Sequence, residues 1–188
     1  MAFIHVDDLK ELALRKIGRN VLNFQKIEGM LKQFVGASNF QSPVSKVSET
    51  LVQRKMSIEN KTMGVLAKEY FKSFDRSVED IHKYPEGRDE PWVSLSFKID
   101  NEDSSLAQQK AAFSFLVSER NRLIHHMLMG FDAASDPSCR ALIIELDKQD
   151  EMIQREHRNL YTLLKVFDEA SAVLVSELTQ EQAKKIKR

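Results

Sequence analysis

The chain has 188 residues, of which 42% are hydrophobic and 30% charged, with six glycines and four prolines. This length suits one domain with one core, and the composition is typical of a globular helical protein rather than a disordered one. Lysine plus arginine equals aspartate plus glutamate, at 28 each. The zero net charge argues against a histone-like or sliding DNA-binding protein, but it leaves room for a small, local phosphate site.

The first residues and the cysteine content indicate the compartment. Cys139 is the only cysteine, which excludes an intrachain disulfide and fits a reducing environment. The start of the chain lacks a basic segment followed by an apolar stretch, and no run approaches the length of a membrane span. We therefore expect a cytoplasmic protein that makes no contact with a membrane.

The first half of the chain predicts helices. Apolar residues at alternating spacings of three and four predict an amphipathic helix from Asp7 or Asp8 to about Val35, ended by Gly36. Its predicted buried face is formed by Leu14, Ile17, Val21, Phe24, Ile27, Leu31 and Phe34. A connector with turn chemistry follows over 37–43, and a short helix is expected over 44–53. A clearer helix is predicted over 61–74, with Ser57 or Asn60 as its cap.

An insertion of different composition occupies about 76–104, with a proline-rich loop at 84–91. Val93, Leu95, Phe97 and Ile99 then alternate with polar residues, a period of two that predicts one strand-like segment without an evident partner.

Two long helices are predicted after the insertion. A capping box at Ser105–Gln108 starts a helix that we expect to reach Met129, with Gly130 ending it. Asp136 with Pro137 predicts the start of another helix reaching about Leu178, and the tail over about 179–188 should fray. The expected fold is all-α: a single domain over 1–188, formed by an up-and-down bundle of four to five helices with a short strand-like insertion.

Arg120 stands out on the helix that follows the insertion. At 100° per residue, it falls in the middle of an apolar stripe, although arginine is rarely buried unless it is paired. The stripe consists of Phe113, Leu116, Val117, Leu123, Ile124, Met127 and Leu128. Asn121 and His125 lie on one flank, and Glu119 and His126 on the other. Arg120, Asn121 and His125 are therefore expected to form a polar wedge on the core-facing side.

Such a wedge suits phosphodiester cleavage without a metal. A histidine can transfer protons near neutral pH, and a guanidinium can hold a phosphate and stabilise developing charge. The structural alternative is that Arg120 is a buried ion-pair residue, with Glu145 or Asp147 of the next helix as its partner. Glu119 with His126 is a third candidate pair, and separate alanine substitutions would distinguish it.

The segment Arg120-Asn121-Arg122-Leu123-Ile124-His125 resembles the motif of the HEPN superfamily (higher eukaryotes and prokaryotes nucleotide-binding domain). These are small helical bundles marked by an arginine, a polar residue, three variable residues and a histidine. The resemblance is confined to about 113–131, and the insertion at 76–104 is not part of the common core. It implies that Arg120 binds the scissile phosphate, that Asn121 is the polar residue of the motif, and that His125 transfers protons.

The resemblance also implies an activity and partners. Many such proteins are metal-independent endoribonucleases, often toxins or defence components that are paired with an antitoxin, and two protomers bring their motifs together in a homodimer cleft. We therefore expect an RNA substrate and no cofactor. A metal site at the adjacent His125 and His126 with Glu119 is disfavoured, because neighbouring helical residues point about 100° apart. The competing hypothesis is a catalytically silent helical dimer that binds a protein or a nucleotide.

Overall fold

The structure is a computed structural model that describes residues 6–38, 40–72, 90–95 and 103–186. These ranges contain five α-helices and two short strands. The elements are α1 (Val6–Ala37), β1 (Phe40–Pro43), α2 (Val47–Glu59), α3 (Met63–Lys72), β2 (Trp92–Leu95), α4 (Asp103–His125) and α5 (Asp136–Ile186). A 3-10 turn, Val44–Lys46, leads into α2. The predicted all-α bundle with a short strand insertion is confirmed.

The long helices alternate in direction. Polar pairs join α1 to α5 in the same order along both helices, from Lys16 with Asp147 to Gln33 with Asp168, so these two helices run parallel. The helix between them, α4, runs antiparallel to α5, because its earlier residue Glu119 meets Gln149 and its later residue Arg122 meets Glu145.

Aromatic side chains join four helices in the core. Phe34 of α1 lies 5.0 Å from Tyr70 of α3 and 5.4 Å from Phe167 of α5, measured between ring centroids. Tyr70 in turn stacks on Phe113 of α4 at 5.7 Å. Most of the predicted α1 face packs in this core, but Leu14 is 50% exposed. At this level of α1 the buried residues are instead Leu9, Ala13 and Asn20. Because Asn20 is polar, the spacing of apolar residues alone does not identify this side as the buried one.

The predicted connector after α1 is partly a strand, so this prediction was wrong. Phe40–Pro43 pairs antiparallel with Trp92–Leu95, with Phe40 opposite Leu95 and Pro43 opposite Trp92. Phe40 and Ser42 are buried and Gln41 is exposed, which is the alternation expected of a strand with one covered face. The pairing gives the predicted strand-like segment its partner. Residues 73–89 and 96–102, which include most of the predicted loop together with Phe74, Phe97 and Ile99, lie outside the described ranges.

Several helix ends differ from prediction. Neither Ser57 nor Asn60 caps α3: the hydroxyl of Ser57 donates to the carbonyl of Arg54, and Asn60 ends α2. The carbonyl of Thr62 accepts the first bond of α3, from the amide of Leu66 at 3.0 Å. Because α4 begins at Asp103, Ser105 lies inside the helix and cannot form the predicted capping box. The last helix starts at Asp136 as predicted, but it continues to Ile186 through most of the tail that we expected to fray.

The end of α4 matters most for the candidate site. We predicted that this helix reaches Met129, but it ends at His125. The amides of His126 and Met127 both donate to the carbonyl of Arg122, at 2.9 and 2.7 Å, and tight turns follow. These turns bring Met127 and Phe131 against the core, which accounts for the early end of the helix.

Candidate functional site

Arg120, Asn121 and His125 lie in the last turns of α4. Asn121 and His125 are four residues apart, so they share one face of the helix, and both are exposed. Arg120 is half-buried at the border of that face, and one of its terminal nitrogens, Nη1, donates to Oδ1 of Asn121 at 3.2 Å. The motif therefore presents a guanidinium, an amide and an imidazole at the surface of the bundle.

The predicted position of Arg120 in the middle of a buried stripe was wrong. The buried side of α4 is formed by Phe113, Leu116 and Leu123, whereas Ile124 and Leu128 are 44% and 42% exposed. Val117 and Met127 also pack against the core, so five of the seven residues of the apolar stripe face the interior and two face solvent. Arg120 is half-buried and bonded to the exposed Asn121, so it does not enter the core as the helical wheel suggested.

The ion pair with the next helix that we considered for Arg120 is formed by Arg122, whose side chain is partly exposed. Its guanidinium donates to both carboxylate oxygens of Glu119, at 3.0 and 2.9 Å, and to Glu145 of α5 at 3.3 Å. Asp147, the other suggested partner, is bonded to Lys16 and Arg19 of α1. Within the described part of the chain, no carboxylate lies within ion-pair distance of Arg120.

Glu119 takes part in a buried polar network that the sequence analysis missed. Nε2 of Gln149 donates to the Glu119 carboxylate and to its main-chain carbonyl, both at 3.1 Å, and Oε1 of Gln149 accepts from Asn20 at 3.0 Å. The Asn20 amide also donates to the carbonyl of Leu146 at 2.8 Å. Asn20 and Gln149 are 0% and 3% exposed. This network connects α1, α5 and α4 immediately behind the motif.

A signal for this network was present in the sequence. Gln149 stands where the spacing of three and four along α5 requires an apolar residue, between Leu146 and Ile153, and Glu156 stands at a second such position. Because a polar side chain at a core position must have partners, this break in the pattern indicates an inter-helix hydrogen bond.

The charges of Glu119 and Arg122 stabilise each other. Burial alone would raise the pKa of Glu119, but hydrogen bonds from Arg122 and Gln149 outweigh it and hold this pKa below its ordinary value. The hydrogen bond to Glu119 raises the pKa of Arg122 in turn. Glu119 is therefore an ionised, fully bonded carboxylate that supports the end of α4.

His126, the other member of the third candidate pair, lies apart from Glu119. It is exposed in the turn after α4, and its ring centroid lies 6.2 Å from that of His125. Among the hydrogen bonds of the described residues, none joins His126 to Glu119, whose oxygens are occupied by Arg122 and Gln149. The structure thus places Asn121 and His125 on one exposed face, with Arg120 bonded to Asn121 at its border, and Glu119 belongs to the interior network.

Exposed apolar residues stand close to His125 along the chain. Ile124 before it is 44% exposed, and Leu128 and Met129 in the turns that follow are 42% and 83% exposed. We call Ile124, Leu128 and Met129 the apolar patch. Exposed apolar residues that are grouped beside polar ones are typical of a surface that binds another molecule.

Two further findings bear on the kind of site. Across the described ranges, no group of three or more His, Cys, Asp or Glu side chains is arranged to hold a metal ion. Within the same ranges, no helix combines the length and apolar character needed to cross a membrane.

The resemblance of the Arg120–His125 segment to the HEPN superfamily stays a prediction, based on those residues and their place near the end of a helix. No family model matches the sequence, and no curated protein or solved structure matches it either.

Proposed function

We propose that this protein is a metal-independent endoribonuclease of HEPN type that acts as a homodimer, with Arg120, Asn121 and His125 at its active site. The observation that supports this most is the state of Arg120. Its guanidinium bonds to the exposed Asn121, and no carboxylate of the described residues neutralises it, whereas Arg122 on the same helix is bonded to two. An arginine without a carboxylate partner is available to bind a phosphate with two parallel hydrogen bonds.

The proposed reaction needs only imidazole groups that transfer protons and a guanidinium that binds the phosphate. The imidazole of His125 accepts the proton of a ribose 2′-OH, and the 2′ oxygen attacks the adjacent phosphorus. The bond from phosphorus to the 5′ oxygen breaks, leaving a 2′,3′-cyclic phosphate on one fragment and a 5′-hydroxyl on the other. Arg120 stabilises the negative charge that develops on the phosphate oxygens, and the bond to Asn121 holds its guanidinium in place.

A dimer would supply a second histidine for proton transfer. The leaving 5′ oxygen must receive a proton while the 2′ oxygen loses one, so the reaction uses two proton-transfer groups. A symmetric dimer places two copies of His125 near its axis if it forms through the apolar patch, because a twofold interface brings the same surface of both copies together. The exposure of Ile124, Leu128 and Met129 supports an association there. The resemblance extends the proposal to a toxin or defence component, with an antitoxin protein as a further partner.

The apolar patch also favours a second candidate function. A helical dimer without activity would use the same exposed residues to bind a protein, and the guanidinium of Arg120 would bind a nucleotide. The two candidates differ in what His125→Ala does. In a nuclease this substitution removes the activity and leaves the fold and the dimer intact, whereas in an interaction module it alters association, with no activity to lose.

The test is incubation of the purified protein with mixed cellular RNA in the presence of EDTA, followed by mapping of the ends that form. We expect internal cleavage that leaves 2′,3′-cyclic phosphates, and no cleavage of DNA of matching sequence, because DNA lacks the attacking hydroxyl. Size measurement of the same sample establishes whether it is a dimer. A folded dimer that leaves varied RNAs intact would favour the interaction module.

A further inference from the structure

A groove of about 650 Å³ lies between α3 and α4. Its floor is apolar and includes Phe71, Phe113 and Val117. The two helices approach closely at one end, where a Cβ on Gly64 would lie 3.3 Å from a methyl carbon of Val117. Since Gly64 faces Val117 while Phe71 faces Phe113, α3 and α4 run antiparallel along the groove.

The charged residues that line this groove are all lysines. Lys68 and Lys72 of α3 line it together with Lys110 of α4, and none of the described residues that line it is an aspartate or a glutamate. Lys68 and Lys72 are exposed and one turn apart, and they form no ion pair with any described residue. A second groove, between α1 and α2, differs because Glu59 lies there with Lys32 and Lys55. In a chain without net charge, Lys68 and Lys72 on one edge of the groove are a local attraction for phosphate groups.

The groove lies along the flank of α4 that leads to the candidate site. Ser114 and Val117 border it, and Asn121 and His125 follow on the same flank of α4. At 1.5 Å per residue, about 12 Å of helix separates Val117 from His125. A chain of nucleotides with its scissile phosphate at Arg120 is therefore close enough to reach the groove along this flank.

We infer that the groove between α3 and α4 is the subsite for single-stranded RNA on one side of the scissile phosphate. This inference rests on the proposed function. Lys68 and Lys72 bind the backbone phosphates, and the apolar floor contacts the bases, a combination typical of sites for single strands. A groove between packed helices, whose axes lie about 8–10 Å apart, is too narrow for a duplex.

The test is RNA binding by the His125→Ala protein, which leaves the substrate uncut. The affinity for a fluorescent, unstructured RNA oligonucleotide is measured by anisotropy over a range of salt concentrations. The groove variant adds Lys68→Gln and Lys72→Gln. The matched control adds Lys10→Gln and Lys148→Gln, which neutralise two exposed lysines on α1 and α5. Thermal unfolding establishes that all three proteins are folded.

Each lysine that neutralises a phosphate of a single strand contributes about 0.7 to the slope of log affinity against log salt. We therefore expect the slope of the groove variant, which has two such lysines fewer, to be smaller by about 1.4. The same effect corresponds to roughly 25-fold weaker binding at 0.1 M salt. The control should keep the slope and the affinity of the His125→Ala protein.

The outcomes separate this inference from the proposed function. If the wild type cleaves RNA but the groove variant binds as tightly as the control, the groove is not the subsite and the nuclease proposal stands. If binding depends on Lys68 and Lys72 but the wild type cleaves no RNA, the groove is an RNA site and the nuclease proposal fails. If the His125→Ala protein binds no RNA at all and the wild type cleaves none, the inference is wrong together with the proposal on which it rests.

Discussion

Two arginines of α4 that are two positions apart have opposite surroundings. Arg122 bonds to Glu119 and Glu145, whereas the guanidinium of Arg120 bonds to its neighbour Asn121. Sequence spacing could not separate these roles. A helical wheel gives the direction of each side chain around the helix, but it does not show which direction faces solvent. Only the packing of α4 against α5 identifies Arg122 as the arginine that supports the fold.

We therefore predict different effects on stability for the two arginines. Arg122→Ala should lower the free energy of unfolding by about 1 kcal/mol, because Glu119 loses a partner for both of its oxygens. Arg120→Ala should change it by less than about 0.5 kcal/mol, as is usual for surface substitutions. Urea denaturation measures both, with each variant as the control for the other. Equal destabilisation would mean that Arg120 is a structural residue.

The lowered pKa of Glu119 predicts a dependence of stability on pH. Its pKa in the folded protein lies below the ordinary value of 4.5, so the folded state binds this proton less readily than the unfolded state. The stabilisation from the ionised carboxylate is thus present above about pH 4.5 and is lost as the pH falls through the folded pKa. The difference in unfolding free energy between the wild type and Glu119→Gln should shrink on acidification. A constant difference would show that the charge of Glu119 contributes nothing.

At the scale of the helices, Gln149 is the residue that connects three of them. Gln149→Ala should lower the free energy of unfolding by about 2 kcal/mol, because it leaves a cavity and removes a partner from buried groups of Asn20 and Glu119. Urea denaturation tests this, with Lys148→Ala at the exposed neighbouring position as the control. A loss no greater than that of the control would mean that α1 and α4 do not depend on this connection.

The glycines of α1 give a second prediction for the helices. Gly18 is exposed in the helix interior, and an added Cβ would meet nothing within 4 Å. Gly18→Ala should therefore stabilise the protein by about 0.5–1 kcal/mol, by raising helix propensity. Gly36→Ala is the matched comparison, because its Cβ would lie 3.0 Å from Cδ1 of Ile58. Thermal unfolding should show a higher melting temperature for Gly18→Ala than for Gly36→Ala, and the reverse order would contradict the packing of α1 against α2.

The helices themselves were largely predictable, and the contacts between distant segments were not. Spacings of three and four located α1, α3 and α5, because an amphipathic helix records its buried face in its sequence. The strand at 40–43 was missed because it pairs with residues near position 92, and nothing local identifies such a partner. The early end of α4 was missed for a similar reason, since it depends on Met127 and Phe131 packing against the core.

At the scale of the whole molecule, the bundle presents the motif at its surface and not in a closed cavity. Asn121 and His125 are exposed, and the apolar patch adjoins them. A single chain therefore leaves the proposed active site open to water, and the proposed dimer would cover it while adding the second His125. The sequence analysis expected Arg120, Asn121 and His125 as a wedge on the core-facing side of the helix, whereas Asn121 and His125 are exposed and Arg120 is half-buried.

The most direct test of the proposed active site is the initial rate of RNA cleavage in EDTA by the wild type, His125→Ala and His126→Ala. Both histidines are exposed, so neither substitution should unfold the protein. Proton transfer by a side chain is worth about 10² to 10⁴ in rate, so His125→Ala should lose at least about 100-fold, while His126→Ala stays close to the wild type. Equal rates for His125→Ala and the wild type, with both proteins folded, would contradict the assignment of His125 and of the active site around it.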